Sequence, residues 1–252
     1  MAGSLWRALV AGALLSLCST SLQAGIVFSS SFETPVLSPT TPQQPVNPGS
    51  YLQVWGGQTV DGWTVHGSDV VLMHTTYNEP FPGLGNPTFN SQDGDQSLDI
   101  TGVGNTTPLN AISRLVDLEV GAQYLLSFYV GRADSSTGYY QTPATIGLSI
   151  DGSSIIDFTN SNLTSQMVNW QLFTYTFTAL TSQTSILFKN QTPHFSPEGE
   201  NNFAGLDDVR LEYLSGPASI ATTPEPASLS MAALGLATFL CGRSRWGRKA
   251  KP

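Results

Sequence analysis

Cysteine is almost missing from this chain. Of its 252 residues only Cys18 and Cys241 are cysteine, one near each end. The stretch between them therefore has no disulfide, no CxxC zinc site and no thiol nucleophile. Its stability has to come from packing, with or without help from an oxygen-ligated metal. Basic charge is nearly as scarce. Ten Lys and Arg stand against 18 Asp and Glu, and six of the ten (Arg7, Arg243, Arg245, Arg248, Lys249 and Lys251) fall in the terminal segments. Between Gly25 and Pro226 only Arg114, Arg132, Lys189 and Arg210 oppose all 18 acids, a net charge of −14. Such a surface repels nucleic acid and anionic lipid while favouring solubility and divalent cations, so nucleic-acid binding is set aside.

Helical periodicity and catalytic patterns are missing as well. No stretch between residues 25 and 215 sustains a 3.6-residue apolar repeat. His66, His74 and His194 are scattered, with no HExxH and no spacing that puts two on one helix face, and no GxSxG elbow is present. Carboxylates are plentiful enough for a glycosidase pair, but nothing in their spacing selects one. The chain reads as a non-enzyme.

What is present is strand. Residues 124–130 (YLLSFYV) are aromatic and aliphatic, and 170–179 (WQLFTYTFTA) alternate rings with threonines, the period of a strand with one buried face. The same grammar covers 69–73, 97–100, 112–118, 145–150, 185–188 and 205–213, separated by turn signals at Asp61-Gly62, Asp93-Gly94, Glu119-Val120-Gly121 and Asp151-Gly152. Many short strands joined by Gly, Pro and Asp turns predict an all-β antiparallel sandwich or barrel over residues 25–215. Three long irregular stretches interrupt it: 35–49 with five prolines, 77–93 and 190–202. Loops of that length tend to be functional or disordered.

Both termini read as addresses. Arg7, the apolar run 8–17 and the small or polar residues up to Ala24 describe a secretory signal peptide over 1–24, with cleavage after Ala24. Cys18 raises a lipoprotein alternative, but Leu17 stands where a small residue normally precedes a lipidated cysteine. A Pro, Ala, Ser and Thr linker at 216–223 leads to the last segment. There residues 227–242 carry no charge and would make a helix of roughly 24 Å, short of a hydrocarbon core. The cluster from Arg243 and Arg245 to Lys251 follows, and a basic flank stays on the cytoplasmic side. A single-span anchor explains the run and the charges but not Pro224-Glu225-Pro226 at its outer edge.

Taken together, Pro224-Glu225-Pro226, the span 227–242 and the basic tail 243–252 resemble the PEP-CTERM sorting signal of exopolysaccharide-producing Gram-negative bacteria. The resemblance implies an inner-membrane intermediate, recognition of the Pro-Glu-Pro element by an exosortase, and release to the cell surface or the medium.

A second resemblance covers most of residues 25–215. Ser31-Phe32-Glu33, Asp61-Gly62-Trp63, Asp93-Gly94-Asp95-Gln96-Ser97-Leu98, Trp170 and Gly205-Leu206-Asp207-Asp208-Val209-Arg210-Leu211 follow one another as in the galactose-binding-like jelly roll of many carbohydrate-binding modules. It implies neighbouring first and last strands, a glycan or exopolysaccharide ligand, and in several members a structural calcium. Asp207 shares parity with Val209, Leu211 and Tyr213, so it is expected to point inward, where a carboxylate needs a cation or several hydrogen-bond donors. Glu33, with Asp95 or Asp208, would complete a calcium site; otherwise Asp207 binds backbone amides. Asp93-Gly94-Asp95 by itself reads as a tight turn.

For glycan binding the useful feature is a ring exposed beside a loop. Tyr51, Trp55, Tyr77, Phe81, Tyr139, Tyr140 and Phe195 qualify by position, and Tyr139-Tyr140, in the polar stretch after Ser135, are the chosen stacking pair. The alternative is that these rings pin their loops to the sandwich. Trp63 and Trp170 are expected in the core. The function expected is therefore non-catalytic glycan or exopolysaccharide binding at the cell surface, with a purely structural matrix component or a glycoside hydrolase as alternatives.

Overall fold

Alternation of apolar and polar residues builds the longest strands, and their buried positions define one interior. In the computed structural model, residues 25–37, 51–77, 87–103, 109–135, 137, 140, 142–164, 166–193 and 202–217 are described. They belong to the unit Met1–Pro217; the second unit, Ala218–Pro252, lies outside them. The signal peptide, Ala24, the span 227–242, Pro224, Glu225, Pro226, Arg243 and Arg245 are therefore outside the described residues, which contain no helix long and apolar enough to cross a membrane.

Thirteen strands appear among the described residues: β1 (Ile26–Ser30), β2 (Tyr51–Trp55), β3 (Thr59–Val60), β4 (Trp63–His66), β5 (Asp69–His74), β6 (Gln96–Asp99), β7 (Ala111–Asp117), β8 (Gln123–Arg132), β9 (Ala144–Ile150), β10 (Ile156–Asn160), β11 (Asn169–Thr178), β12 (Gln183–Asn190) and β13 (Gly205–Ser215). One sheet has the order β11-β8-β13-β6-β5-β2, with β1 added against β13; the other runs β10-β9-β12-β7-β4-β3. Every strand pair is antiparallel. The all-β sandwich expected from the alternation is what forms, including all eight of the strands expected. β1 does lie beside the last strand, with Phe28 opposite Leu211 and Ser30 opposite Val209.

The interior fills with one face of each sheet. From β8, Tyr124, Leu126, Phe128 and Val130 point in; from β12, Ile186 and Phe188 meet them, and the Phe128 and Phe188 rings lie 4.8 Å apart. Trp63 is fully buried among Phe28, Phe32 and Phe188, and its indole N–H donates to Ser30 Oγ at 3.0 Å. Trp63 is thus a core residue, as expected.

The last strand departs from simple alternation. Along β13, Asp207 faces Tyr129 and Arg210 faces Ser127, so three steps on one strand match two on the other. The extra residue is a β-bulge at Asp208, whose φ is 46°. The bulge reverses parity: Leu206 and Val209 both enter the core, and Asp207 turns to the opposite, outer face. The inward orientation read from its spacing to Val209 and Leu211 is therefore corrected. Asp207 is fully buried, but not between the sheets.

Candidate functional site

Asp207 lies on the outer face of the seven-stranded sheet, opposite Tyr129. Strand register places Trp170, Gly131, Gly205, Asp99, Val71 and Gln53 in one row across that face. Two glycines in the row leave a trough, and Trp170 fills it. A Cβ on Gly131 would stand 2.6 Å from the indole, and one on Gly205 would stand 2.7 Å from it. Trp170 donates its N–H to Asn90 O at 2.9 Å. Around it gather Val71, Met73, Tyr77, Phe89, Ala133, Tyr140, Val168 and Phe203, a second apolar cluster outside the sandwich. Trp170 belongs here and not to the interior, which corrects the expectation of a core residue.

Tyr140 is 5% exposed and meets the Phe89 ring edge-on at 5.7 Å. Its ring is a wall of this cluster, so it offers no open platform to a sugar; it pins its loop, the alternative stated above. Tyr139 lies outside the described residues, as do Phe81 and Phe195. Tyr77 is buried in the same cluster, and Tyr51 packs on its margin, 5.5 Å from Tyr77.

Three of the four carboxylates named as calcium ligands, Glu33, Asp207 and Asp208, already hold protein partners. Asp207 Oδ2 accepts from the amides of Gln92 (2.8 Å) and Asp93 (3.1 Å), and Oδ1 from Asp208 N (2.7 Å). Burial pushes its carboxyl up to about 7 against the pull of those amides, and the Asp208 charge adds to the rise. Glu33 Oε1 accepts from the amides of Asp95 and Gln96, both at 2.9 Å, while Asp208 pairs with Arg210 at 2.6 Å. Asp95 is exposed and contributes its backbone, not its side chain. Donor N–H groups aimed at the carboxylates oppose a cation in the same place, and among the described residues no three His, Cys, Asp or Glu side chains form a metal-ligating group. Glu33, Asp95, Asp207 and Asp208 thus do not fit a calcium ion. They hold the turn at residues 91–95 from both ends of the chain. Gly94 is required in it: its φ is 65°, and a Cβ there would strike the Glu33 carboxylate.

Gln96 was not singled out by sequence and does as much. It is 1% exposed, donates to the carbonyls of Phe32 (2.7 Å) and Pro35 (3.0 Å), and accepts from Leu37 N. A buried glutamine beside a DGD turn was the available signal.

The remaining polar group lies toward the β2 edge of the same face. Asp69 Oδ2 accepts from Gln53 Nε2 at 2.9 Å and from Val103 N at 2.8 Å. Asp99 Oδ1 accepts from Thr101 N (2.9 Å) and Thr101 Oγ1 (2.7 Å). Burial raises the Asp99 carboxyl to about 7, partly offset by the Thr101 bonds, with the nearby Asp69 charge raising it further. Directly opposite Asp69 on β2 stands Trp55. Trp55 is 51% exposed, and among the described residues it is the one exposed Phe, Tyr or Trp. Its backbone is fixed by Trp55 N donating to Gln58 Oε1 (2.9 Å) and Gln58 N donating to Trp55 O (3.0 Å). The indole N–H has no partner among the described residues, nor does the carbonyl oxygen of Gln53. Trp55, Gln53 and Asp69 therefore bring together a flat apolar face, free amide groups and a held carboxylate.

No family model matches the sequence, and neither does any curated protein. Solved structures similar in chain path include the CBM22-1 xylan-binding domain of Xyn10C from Paenibacillus barcinonensis. It is 16% identical, with 77% of this chain and 97% of that one covered and a TM-score of 0.40. TmCBM61, solved with β-1,4-galactotriose, is 13% identical over 59% of this chain and 86% of its own, with a TM-score of 0.37. A CBM4 structure is 18% identical over 73% and 97%, with a TM-score of 0.31. These three are carbohydrate-binding modules; at these scores the likeness bears on neither the ligand nor the site.

Proposed function

We propose that this protein is an exported, non-catalytic glycan-binding module of the galactose-binding-like jelly-roll type, which stacks the ring of Trp55 on a pyranose of an extracellular polysaccharide. The observation that carries this reading is the exposed indole beside Gln53 and Asp69. An exposed indole offers a flat apolar face with an N–H at its rim, and a pyranose offers a matching apolar face. Gln53, already oriented by its bond to Asp69, keeps a carbonyl and one amide hydrogen for sugar hydroxyls. Delivery rests on the tail: the Pro-Glu-Pro element, span and basic cluster support sorting by an exosortase, with the membrane as a temporary station.

Affinity electrophoresis of the full chain through gels containing soluble polysaccharides tests the binding. Retention on at least one polysaccharide is expected, lost in Trp55→Ala and partly kept in Trp55→Phe. No retention on any polysaccharide, or retention unchanged in Trp55→Ala, sinks the reading. Sorting is checked separately by mass spectrometry of the surface-exposed protein: an intact C-terminus through Pro252 would make the tail a plain anchor.

A further inference from the structure

Among the described residues five strands lie at sheet edges, and four of them are only two to five residues long. β1 has a register shift, β3 is two residues long, β2 is five, and β10 is five with exposed Asp157. Proteins blunt edges in such ways because an unpaired strand is a template for another strand. The fifth, β11, is ten residues, matches β8 residue for residue without a bulge, and has no charge and no proline. Its first residues are covered: Asn160 Nδ2 donates to Asn169 O (2.9 Å), and Asn162 Nδ2 to Gln171 Oε1 (3.1 Å). From Leu172 to Thr178 no described residue outside β8 hydrogen-bonds to the strand.

The side of the sandwich beside this edge is closed by rings instead of backbone. Phe158 of β10 meets Phe173 at 5.5 Å and Tyr175 at 6.5 Å, and all three are only half-buried. Leu172 is 50% exposed next to them.

We propose that β11 pairs antiparallel with β11 of a second copy of this chain, joining two sandwiches through one continuous sheet. The sequence of the open stretch selects the occupant. Phe173-Thr174-Tyr175-Thr176-Phe177 reads the same in both directions. About a two-fold axis at Tyr175, Phe173 of one copy faces Phe177 of the other and Thr174 faces Thr176, so each residue meets its own kind. Thr–Thr and aromatic pairs are favourable cross-strand neighbours, and the even sum of paired positions keeps rings on the core side and threonines on the outer side. Charge agrees. The region 25–226 carries −14, so two copies repel over most of their surface, but the edge itself bears no charge. The contact is isologous, as closed dimers require. It is also remote from the glycan site, since Trp55 lies on β2 at the other end of the sheet order.

Sedimentation velocity of the full chain over a concentration series tests this. A reversible monomer–dimer equilibrium is expected, and Thr174→Lys should weaken it by more than about tenfold through an edge charge. Because Thr174 is exposed, the melting temperature of that variant should stay near the parent's. In a Cys18→Ser, Cys241→Ser background, Tyr175→Cys should cross-link between copies on mild oxidation, whereas Thr64→Cys on the other sheet should not. A chain that stays monomeric to its solubility limit overturns the proposal. So does a dimer that Thr174→Lys leaves intact, or cross-linking equal at both cysteines.

Discussion

Between the sheets, Phe128 and Phe188 meet because two strands alternate and face each other; on the outer face, Phe89 and Phe203 meet at 5.1 Å because two loops fold back onto the sheet. The interior takes about three-quarters of its buried members from strands. The outer cluster takes Tyr77, Phe89, Ala133, Tyr140, Val168 and Phe203 from connections, with only Val71 and Met73 supplied by β5. The difference teaches that long loops in this chain are partly structural. Among the described residues, their rings cover a sheet face, and Trp55 is the ring that faces water. It also sets an order of stability: the interior opens only with the whole fold, whereas loop contacts can open locally.

The largest loss of stability is expected in the interior. Phe128→Ala should cost about 3–5 kcal/mol in urea unfolding, the usual range for a buried phenylalanine. Phe89→Ala should cost less, about 2 kcal/mol, because the loops can settle into the space. Its signature is local: the amide of Thr88, bonded to Gln166 O, and that of Val168, bonded to Thr88 O, should exchange faster while those of β12 keep their protection. If Phe89→Ala instead speeds exchange throughout, the two clusters form one cooperative unit. Gly205→Ala sharpens the boundary between them. The added methyl meets Trp170 at 2.7 Å and Phe203 at 2.8 Å, so a loss of about 1–3 kcal/mol is expected, with a shift in tryptophan emission.

Acidity probes the outer face next. Asp99 and Asp207 both have carboxyls pushed up to about 7, chiefly by burial. A carboxyl with a higher pKa in the fold than in the unfolded chain favours the fold while protonated. Its contribution is complete below about pH 4 and is lost as pH rises towards 7. The melting temperature should therefore be higher near pH 5 than near pH 8, and Asp99→Asn should flatten that slope. A profile that rises with pH would mean that the amide donors around Asp207 outweigh its burial. The smallest effect on stability is expected at Trp55, where Trp55→Ala should change it by no more than about 0.5 kcal/mol while abolishing glycan retention.

The interior was legible in the sequence because its signal is periodic. Residues 124–130 and 170–179 announce β8 and β11 through alternation alone. The five strands not anticipated are short or mixed. β3 has two residues and β4 has four; β10 (IDFTN) mixes Asp and Asn with its apolar residues; β1 (IVFSS) has five residues and ends in two serines; and β2 reads as loop aromatics because its partner, β5, is reached only after two turns. The outer face was less legible for two physical reasons. The bulge at Asp208 adds one residue and reverses the face of Asp207, which parity cannot foresee, although two successive aspartates in a strand were a hint. Burial of Tyr140 depends on Phe89, more than fifty residues away, and no local pattern records that contact. Trp55 was visible as one of seven rings near loops, but its exposure follows from its place on an edge strand.

The position of β13 has a consequence for how the chain is completed in time. The strand lies between β8 and β6, and it also carries β1, with Tyr213 N donating to Gly25 O at 2.9 Å. Eleven residues near the C-terminal end of the described chain thus form the middle of a sheet whose other members are made earlier. A polypeptide emerging from its N-terminus has β1 long before it has anything to pair with, and closing that contact spans nearly the whole described chain. Until β13 is available the seven-stranded sheet is two separate fragments, β11-β8 and β6-β5-β2, plus an unpaired β1, and a truncation that removes β13 should leave them that way. Folding of this domain is therefore tied to the arrival of its last strand, which leaves the seven-stranded sheet open until synthesis has passed it.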